Sequence, residues 1–257
     1  MPAQVPYLSV IIPSYNEEKN FKRGALDEAL SYLQKQTYDW EMILSDDGST
    51  DKTLDALNNF AAKDKRISVL ANEHGGKGPT VQSGMLAAKG EWRLFTDFDQ
   101  STPLSEVERL LAFTPTCEVV IGSREGSGSR RENEPSYRHY MGRAFNLVVQ
   151  VLALPGILDS QCGFKLFSAN AATQLFSNLS VYGRSTIKKG AFTGAFDVEL
   201  LFLARKLGIL IEEVPITWKH YDTDRVDPVK DSLRMLKDII RVRIAYAQGK
   251  YAKLLGE

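Results

Sequence analysis

Five short apolar runs dominate the first half of the chain: LSVIIP at 8–13, WEMILS at 40–45, ISVLAN at 67–72, WRLFTD at 92–97 and CEVVIGS at 117–123. Each is rich in Val, Ile, Leu or aromatic residues, and none alternates cleanly with polar ones. That is the pattern of strands buried on both faces, as in a parallel sheet. The stretches between them read as helices over 16–36, 78–89 and 104–113, and Ser49, Thr50 and Asp51 supply capping chemistry for another. Strand–helix alternation at this spacing predicts an α/β fold. Its sheet would be doubly wound, Rossmann-like and mostly parallel, sandwiched by helices with right-handed crossovers. Ligands in such sheets bind outside the carboxyl ends of the strands. The residues that follow each run are therefore the ones to read for function.

The second half is less regular. Residues 124–136 (REGSGSRRENEPS) are polar and read as a loop. Helices are expected over 137–154 and 197–207, and a strand over 209–218. Residues 228–247 predict an amphipathic C-terminal helix, with Leu233, Leu236, Ile240 and Ile244 on one face and Pro228 in its first turn. No repeat or linker divides the chain, so 1–257 reads as a single domain, long enough for one large core. A formal net charge of zero removes any global electrostatic case for nucleic acid, although Lys and Arg gather over 230–253. Cys117 and Cys162 give neither a disulfide framework nor a metal spacing, and read as reduced thiols of a cytoplasmic protein. Residues 1–13 lack a basic segment ahead of a long apolar run and do not read as a signal peptide. No stretch reaches the roughly 18–20 apolar residues of a membrane span.

The segments after the runs carry chemistry of uneven specificity. Pro13-Ser14-Tyr15-Asn16-Glu17-Glu18 alone is compatible with a turn and a helix cap. In Ser45-Asp46-Asp47-Gly48-Ser49-Thr50-Asp51 the adjacent acids are costly without partners. Such an acid could cap a helix or hydrogen-bond the base or sugar of a nucleotide. His74-Gly75-Gly76-Lys77-Gly78 precedes a helix and could cradle phosphate, but it has neither Walker nor dinucleotide spacing. Thr96-Asp97-Phe98-Asp99-Gln100 places two carboxylates in an i, i+2 relation. Two hard oxygen ligands suit Mg2+ or Mn2+, which would also bind a diphosphate. The competing reading is a general acid/base pair, as in glycoside hydrolysis.

Taken together, VIIPSYNEE, SDDGSTDKT, GGKGPTVQSGM, FTDFDQSTP, VIGSR, DSQCGFKLF, AFDVELL and EVPITW resemble the family 2 glycosyltransferases, which have the GT-A fold. The likeness is to the branch that holds dolichyl-phosphate glucosyltransferases, with dolichol-phosphate mannose synthases nearby, and it runs from about Leu8 to about Tyr251. The resemblance implies that Pro13, Tyr15, Glu17 and Asp47 hold a nucleoside, with Lys77 and Gly78 also on the donor. It places Asp97, Phe98 and Asp99 at the metal and diphosphate. Arg124 would contact phosphate, and Arg225 stands near a phosphate-binding lysine of the family. Gln161, Cys162, Gly163, Phe164 and Lys165 would lie near the acceptor, and Asp197 and Glu199 near the reacting centre. A donor half of about 1–123 and an acceptor half of about 124–257 follow. Phe98, where the family usually has a small residue, and residues 180–195, longer than the matching loop, depart from the pattern.

The implied reaction is inverting transfer of a hexose, glucose or mannose, from a UDP- or GDP-sugar to a polyprenyl (dolichyl or undecaprenyl) phosphate. Mg2+ or Mn2+ would assist. Such an acceptor is anionic near neutral pH and needs no strong general base. Arg124, Lys165, Arg225, Arg130 and Arg131 are the cations available to it, and for Arg130 and Arg131 a solvated surface role is equally compatible. A lipid acceptor would also give the basic C-terminal helix a place on the cytoplasmic membrane face, against plain packing on the core. The alternatives are a soluble transferase acting on a glycan, protein or small molecule, a nucleotidyltransferase, and a nucleotide-sugar binding protein. A nucleotidyltransferase would carry a Gly-rich, basic loop after the first strand, which PSYNEE is not. The sequence does not decide oligomeric state.

Overall fold

The computed structural model describes residues 5–134, 136–183, 196–221 and 228–256. Nine strands run in chain order: β1 (Leu8–Ser14), β2 (Trp40–Asp46), β3 (Ile67–Ala71), β4 (Trp92–Thr96), β5 (Val119–Ser123), β6 (Arg130–Glu132), β7 (Phe164–Ser168), β8 (Ile211–Pro215) and β9 (Thr217–Lys219). The helices are α1 (Glu18–Lys22), α2 (Ala25–Leu33), α3 (Thr53–Ala61), α4 (Lys77–Ala87), α5 (Val107–Leu111), α6 (Ser136–Leu152), α7 (Ala169–Phe176), α8 (Phe196–Lys206), α9 (Pro228–Ala247) and α10 (Ala252–Leu255).

Seven strands form one sheet in the order β3-β2-β1-β4-β7-β5-β8. All neighbours are parallel except β7, which runs antiparallel to both β4 and β5. Alternate residues of each strand feed opposite faces, as the pleat requires. Leu8, Val10 and Ile12 join one core with Leu26, Leu57 and Phe60, while Ile11 joins the other with Val81, Phe176 and Leu201. Two helix layers thus enclose the sheet, and the α/β sandwich expected from the sequence is present.

Three details differ from expectation. The helix read over 16–36 is broken into α1 and α2 at Gly24, whose φ of 84° lies in the left-handed region that glycine tolerates. The polar stretch 124–136 contains β6, which pairs in parallel with β9 as a separate two-stranded sheet. The strand read over 209–218 is interrupted at Ile216, between β8 and β9.

In α9, Ile239, Val242 and Ala245 pack into the core, whereas Ile240 and Ile244 face outward. The expected apolar face of α9 is therefore not the one that meets the core. Leu236 is half-buried, and the side chain of Leu233 lies outside the described residues. Among the described residues no helix is long and apolar enough to cross a membrane.

The inserted strand β7 sets the geometry of the site. Because it is antiparallel to β4, Thr96 pairs with Phe164. The start of β7 therefore lies beside the end of β4, and Gly163 arrives next to Asp97.

Candidate active site

A cleft of about 910 Å³ opens at the carboxyl edge of the sheet, at the ends of β1, β2 and β4. Pro13, Tyr15, Glu17, Asp47, Lys77, Phe98, Asp97 and Asp99 all border it. Eight residues expected from separate motifs are thus brought together. Asn16 holds the first two loops in place from a positive φ of 53°. Its Oδ1 accepts from the backbone N–H of Thr50 at 2.8 Å, and its own N–H donates to Ser49 Oγ at 3.0 Å. Asp46 closes the β2 turn by accepting from the backbone N–H of Ser49 at 2.9 Å. Tyr15 and His74 stack at 4.5 Å on the cleft wall.

Asp47 is heavily engaged. Its carboxylate accepts from the N–H groups of Gly75 at 2.8 Å and Gly76 at 2.9 Å, and from Thr80 Oγ1 at 2.8 Å. His74 Nδ1 lies 2.9 Å from its Oδ2. A carboxylate offers about four acceptor positions, so these donors leave Asp47 little capacity. It shapes the glycine turn that leads into α4. Lys77, the first residue of α4, reaches into the cleft from there, and Gly78 is buried behind it. A helix N-terminus beside a cleft favours anions.

The acidic pair lies opposite. Lys77 Nζ is 2.5 Å from Asp97 Oδ1. Burial lowers the ammonium pKa, but Asp97, Asp197 and Asp99 outweigh it and hold Lys77 above the usual lysine value. Burial and the neighbouring Asp97 push the Asp99 carboxyl up, against the hydrogen bond from Ser101 and the pull of Lys77. Phe98 is 3 % exposed and belongs to the core, so the chain bends around it and leaves both carboxylates at the cleft. The Asp99 carbonyl accepts from Arg23, whose guanidinium lies 3.7 Å from the Tyr221 ring centroid.

A divalent cation fits this donor set. Two hard carboxylate oxygens with incomplete countercharge favour Mg2+ or Mn2+. No cluster of three or more metal-ligating side chains occurs among the described residues. The remaining positions would fall to diphosphate oxygens and water.

The expected acceptor residues form a layer beneath the cleft. A Cβ at Gly163 would fall 2.1 Å from Asp97 Oδ2, so any larger residue would have to displace that carboxylate or the backbone. Lys165 is fully buried. It donates to Asp197 at 2.7 Å and to the Cys162 carbonyl, and neither Lys165 nor Asp197 borders the cleft. Lys165 therefore braces the 162–163 backbone and does not present a cation at the surface. Burial pushes the Asp197 carboxyl up against Lys165 and Lys77, and it pushes the Cys162 thiol up to about 12, which suits a structural thiol. The buried Nε2 of Gln161 has no hydrogen-bond partner among the described residues.

Arg124, expected at a phosphate, grips Asp159 in a bidentate pair at 2.7 and 2.8 Å. Asp159 also accepts from the Arg124 N–H at 2.9 Å, and its own N–H donates to Glu213 at 2.6 Å. The sequence reading did not single out Asp159 or Glu213. Asp159 sits in the quoted DSQCGFKLF segment and Glu213 opens the quoted EVPITW segment, but neither was assigned a role. Arg131 pairs with Glu125 and Glu134, each at 2.6 Å, which makes it a loop brace. Glu199 accepts from the N–H groups of Ser180, Val181 and Tyr182 and from the Tyr251 hydroxyl. It anchors a loop away from the acids of the cleft. Arg225 and residues 184–195 lie outside the described residues.

The pattern of the glycosyl transferase family 2 domain matches residues 9–176. The chain belongs to glycosyltransferase family 2. Its relatives in that family include dolichyl-phosphate beta-glucosyltransferases. The Dictyostelium discoideum protein is 33 % identical over 95 % of this chain and 76 % of its own length. The Mus musculus protein is 34 % identical, with 95 % and 77 % covered. The fold is shared with glucosyl-3-phosphoglycerate synthase from Mycobacterium tuberculosis, solved with Mn2+, UDP and glucosyl-3-phosphoglycerate. The TM-score is 0.61 at 19 % identity, over 93 % of this chain and 79 % of that one. It is also shared with a Pyrobaculum calidifontis mannosyltransferase in complex with GDP-Man and Mn2+, at TM-score 0.55 and 17 % identity, over 99 % and 75 % of the two chains. The family 2 assignment agrees with the resemblance drawn from the motifs.

Proposed function

We propose that this family 2 glycosyltransferase moves glucose from a nucleoside-diphosphate donor to the phosphate of a polyprenol. The observation that carries the reading is the Asp97–Asp99 pair facing Lys77 and the α4 N-terminus across one cleft. The dolichyl-phosphate beta-glucosyltransferases that cover most of this chain supply the sugar and acceptor class.

In this reading Tyr15, His74 and Glu17 line the nucleoside end of the cleft. Lys77, at the N-terminal end of α4, binds the diphosphate. Asp97 and Asp99 hold the divalent cation, which when bound offsets the charge that develops on the leaving nucleoside diphosphate. The acceptor phosphate is its own nucleophile, so the protein's task is to bring two anions together. Arg124, which does not border the cleft and is held by Asp159 through Nε and Nη2, is the cation this reading assigns to the acceptor phosphate. Asp197 and Lys165 act from beneath, as positioning residues for the 162–163 backbone against Asp97.

The test is incubation with labelled UDP-glucose or GDP-mannose, Mn2+ or Mg2+, and a polyprenyl phosphate. A labelled product should partition into organic solvent with UDP-glucose, and Asp99→Ala should abolish it while the fold is kept. Label released only to water, or passed to a soluble glycan, would replace the lipid acceptor. Undiminished product from Asp99→Ala would remove the metal role.

A further inference from the structure

The outward side of α9 and the adjoining side of α6 carry side chains that a globular surface usually hides. Ile240 and Ile244 are 46 % and 48 % exposed, and Leu147 and Val151 are 62 % and 75 % exposed. The two helices pack together. Val151, Leu152, Ile240 and Ile244 line one groove of about 440 Å³ between them. Single exposed aliphatic residues are ordinary, but a contiguous face marks an interaction site. Exposed Leu158 extends the face, since Asn146 of α6 donates to the carbonyls of Ile157 and Leu158.

The charges on this face select its occupant. Among the described side chains of α6 and α9, the exposed charges are all basic: Arg143, Arg234, Lys237, Arg241 and Arg243. The one acid among these described side chains, Asp238, is buried and pairs with Arg241 at 3.1 Å. A second copy docked by two-fold symmetry would set these cations against their own kind. An apolar face ringed by Lys and Arg instead matches the interfacial layer of a bilayer with anionic headgroups. The face is also continuous with the acidic centre. From Leu158 the chain needs five residues to reach Gly163, which lies against Asp97. Those residues span at most about 17 Å even when extended.

We infer that the α6–α9 face, with Leu158 at its edge, docks on an anionic lipid surface and so brings the 158–163 segment to the membrane. That this delivers the acceptor phosphate to Asp97 rests on the polyprenyl-phosphate reading; the docking does not. The surface differs from the one suggested by the basic helix alone, because α6 contributes Leu147, Val151 and Leu152 to it and neither helix needs to leave the core.

Sedimentation with vesicles that contain no polyprenol tests it. At low salt the whole chain should pellet with phosphatidylcholine–phosphatidylglycerol vesicles and much less with phosphatidylcholine alone. The double variant Val151→Asp, Ile244→Asp should lose that binding by at least about tenfold. Its melting temperature and nucleotide binding should stay those of the parent. The inference is overturned if the parent stays in the supernatant, or if the double variant pellets like the parent. A parent dimer that the double variant converts to monomer, without vesicle binding, would assign the face to a second copy. Transfer to polyprenyl phosphate, assayed in parallel, separates the two claims. Transfer without docking sinks only this inference, and docking without transfer sinks only the acceptor reading.

Discussion

Lys77 Nζ and Asp97 Oδ1 lie 2.5 Å apart across the cleft, between the start of α4 and the end of β4. An ammonium in that position competes with any other cation for Asp97, yet it is also a ready counter-ion for a diphosphate. The two roles make opposite predictions. Lys77→Met should bind Mn2+ several-fold more tightly in the absence of nucleotide, because the competitor is gone. The same variant should lose about 10²- to 10³-fold in kcat/KM, the usual scale for one preorganised charge at a leaving group. Titration of free Mn2+ by electron paramagnetic resonance, beside steady-state kinetics, reads both. If both affinity and rate fall, Lys77 supports the metal and does not compete with it.

Gly163 offers a second test, because its backbone takes the space a Cβ would need against Asp97. Gly163→Ala would place a methyl 2.1 Å from Asp97 Oδ2, so the carboxylate or the 162–163 backbone must move. Overpacking of this kind costs about 1–3 kcal/mol of stability. A displacement near 1 Å at the reacting centre costs about 10²-fold in rate. The variant should therefore fold with a lowered melting temperature, bind Mn2+ more weakly and lose most of its transfer. Parent-like Mn2+ affinity in a folded Gly163→Ala protein would show that Asp97 has room to spare.

The legibility of this site follows from where its residues sit. Tyr15, Asp47 and Asp97 come directly after a strand and Lys77 starts a helix, so the carboxyl-edge rule pointed to their segments, and the family resemblance then gave the residues their roles. What stayed hidden depends on partners distant in sequence. The donors to Asp47 lie 28 and 29 residues away, so the turn that it braces could not be read from its own segment. Arg124 meets Asp159 across 35 residues, a pairing that no local pattern records. Strand β7 was masked by its buried Lys165, which breaks the apolar run, and its antiparallel direction is set by the long return through α6. In α9 two apolar stripes compete. Only the packing of Ile239 and Val242 shows which one faces in.

Asp159 gives stability a pH dependence of known sign. Burial would raise its carboxyl, but the charge and hydrogen bonds of Arg124 outweigh it and hold Asp159 below the usual carboxylate range. A carboxylate with a depressed folded pKa stabilises fully above its unfolded value, near 4. That contribution is lost as pH falls through the folded value. Melting temperature should therefore drop on acidification, and Asp159→Asn should lack that part of the drop. At neutral pH the variant should lose about 3–5 kcal/mol, the scale for leaving one partner of a buried pair alone. Thermal melts of both proteins at a series of pH values measure this. Parallel acid profiles would mean that the Arg124–Asp159 pair adds nothing to folding.

Glu199 separates anchoring from chemistry. Its resemblance-based place is near the reacting centre, but its carboxylate collects three backbone N–H groups between 2.7 and 2.9 Å and the Tyr251 hydroxyl at 2.7 Å. That set ties the 180–182 turn to the C-terminal end of the chain and leaves no acceptor position facing the cleft. A hydrogen bond to a charged group contributes about 1.5–3 kcal/mol. Tyr251→Phe should lower stability by that order and leave kcat/KM within about twofold of the parent. Glu199→Gln should destabilise more, since its amide adds two donors where every neighbour is already a donor. Urea unfolding and kinetics on both variants decide the matter. A Glu199→Gln protein with parent stability and a collapsed kcat would move Glu199 out of the scaffold and into the reaction.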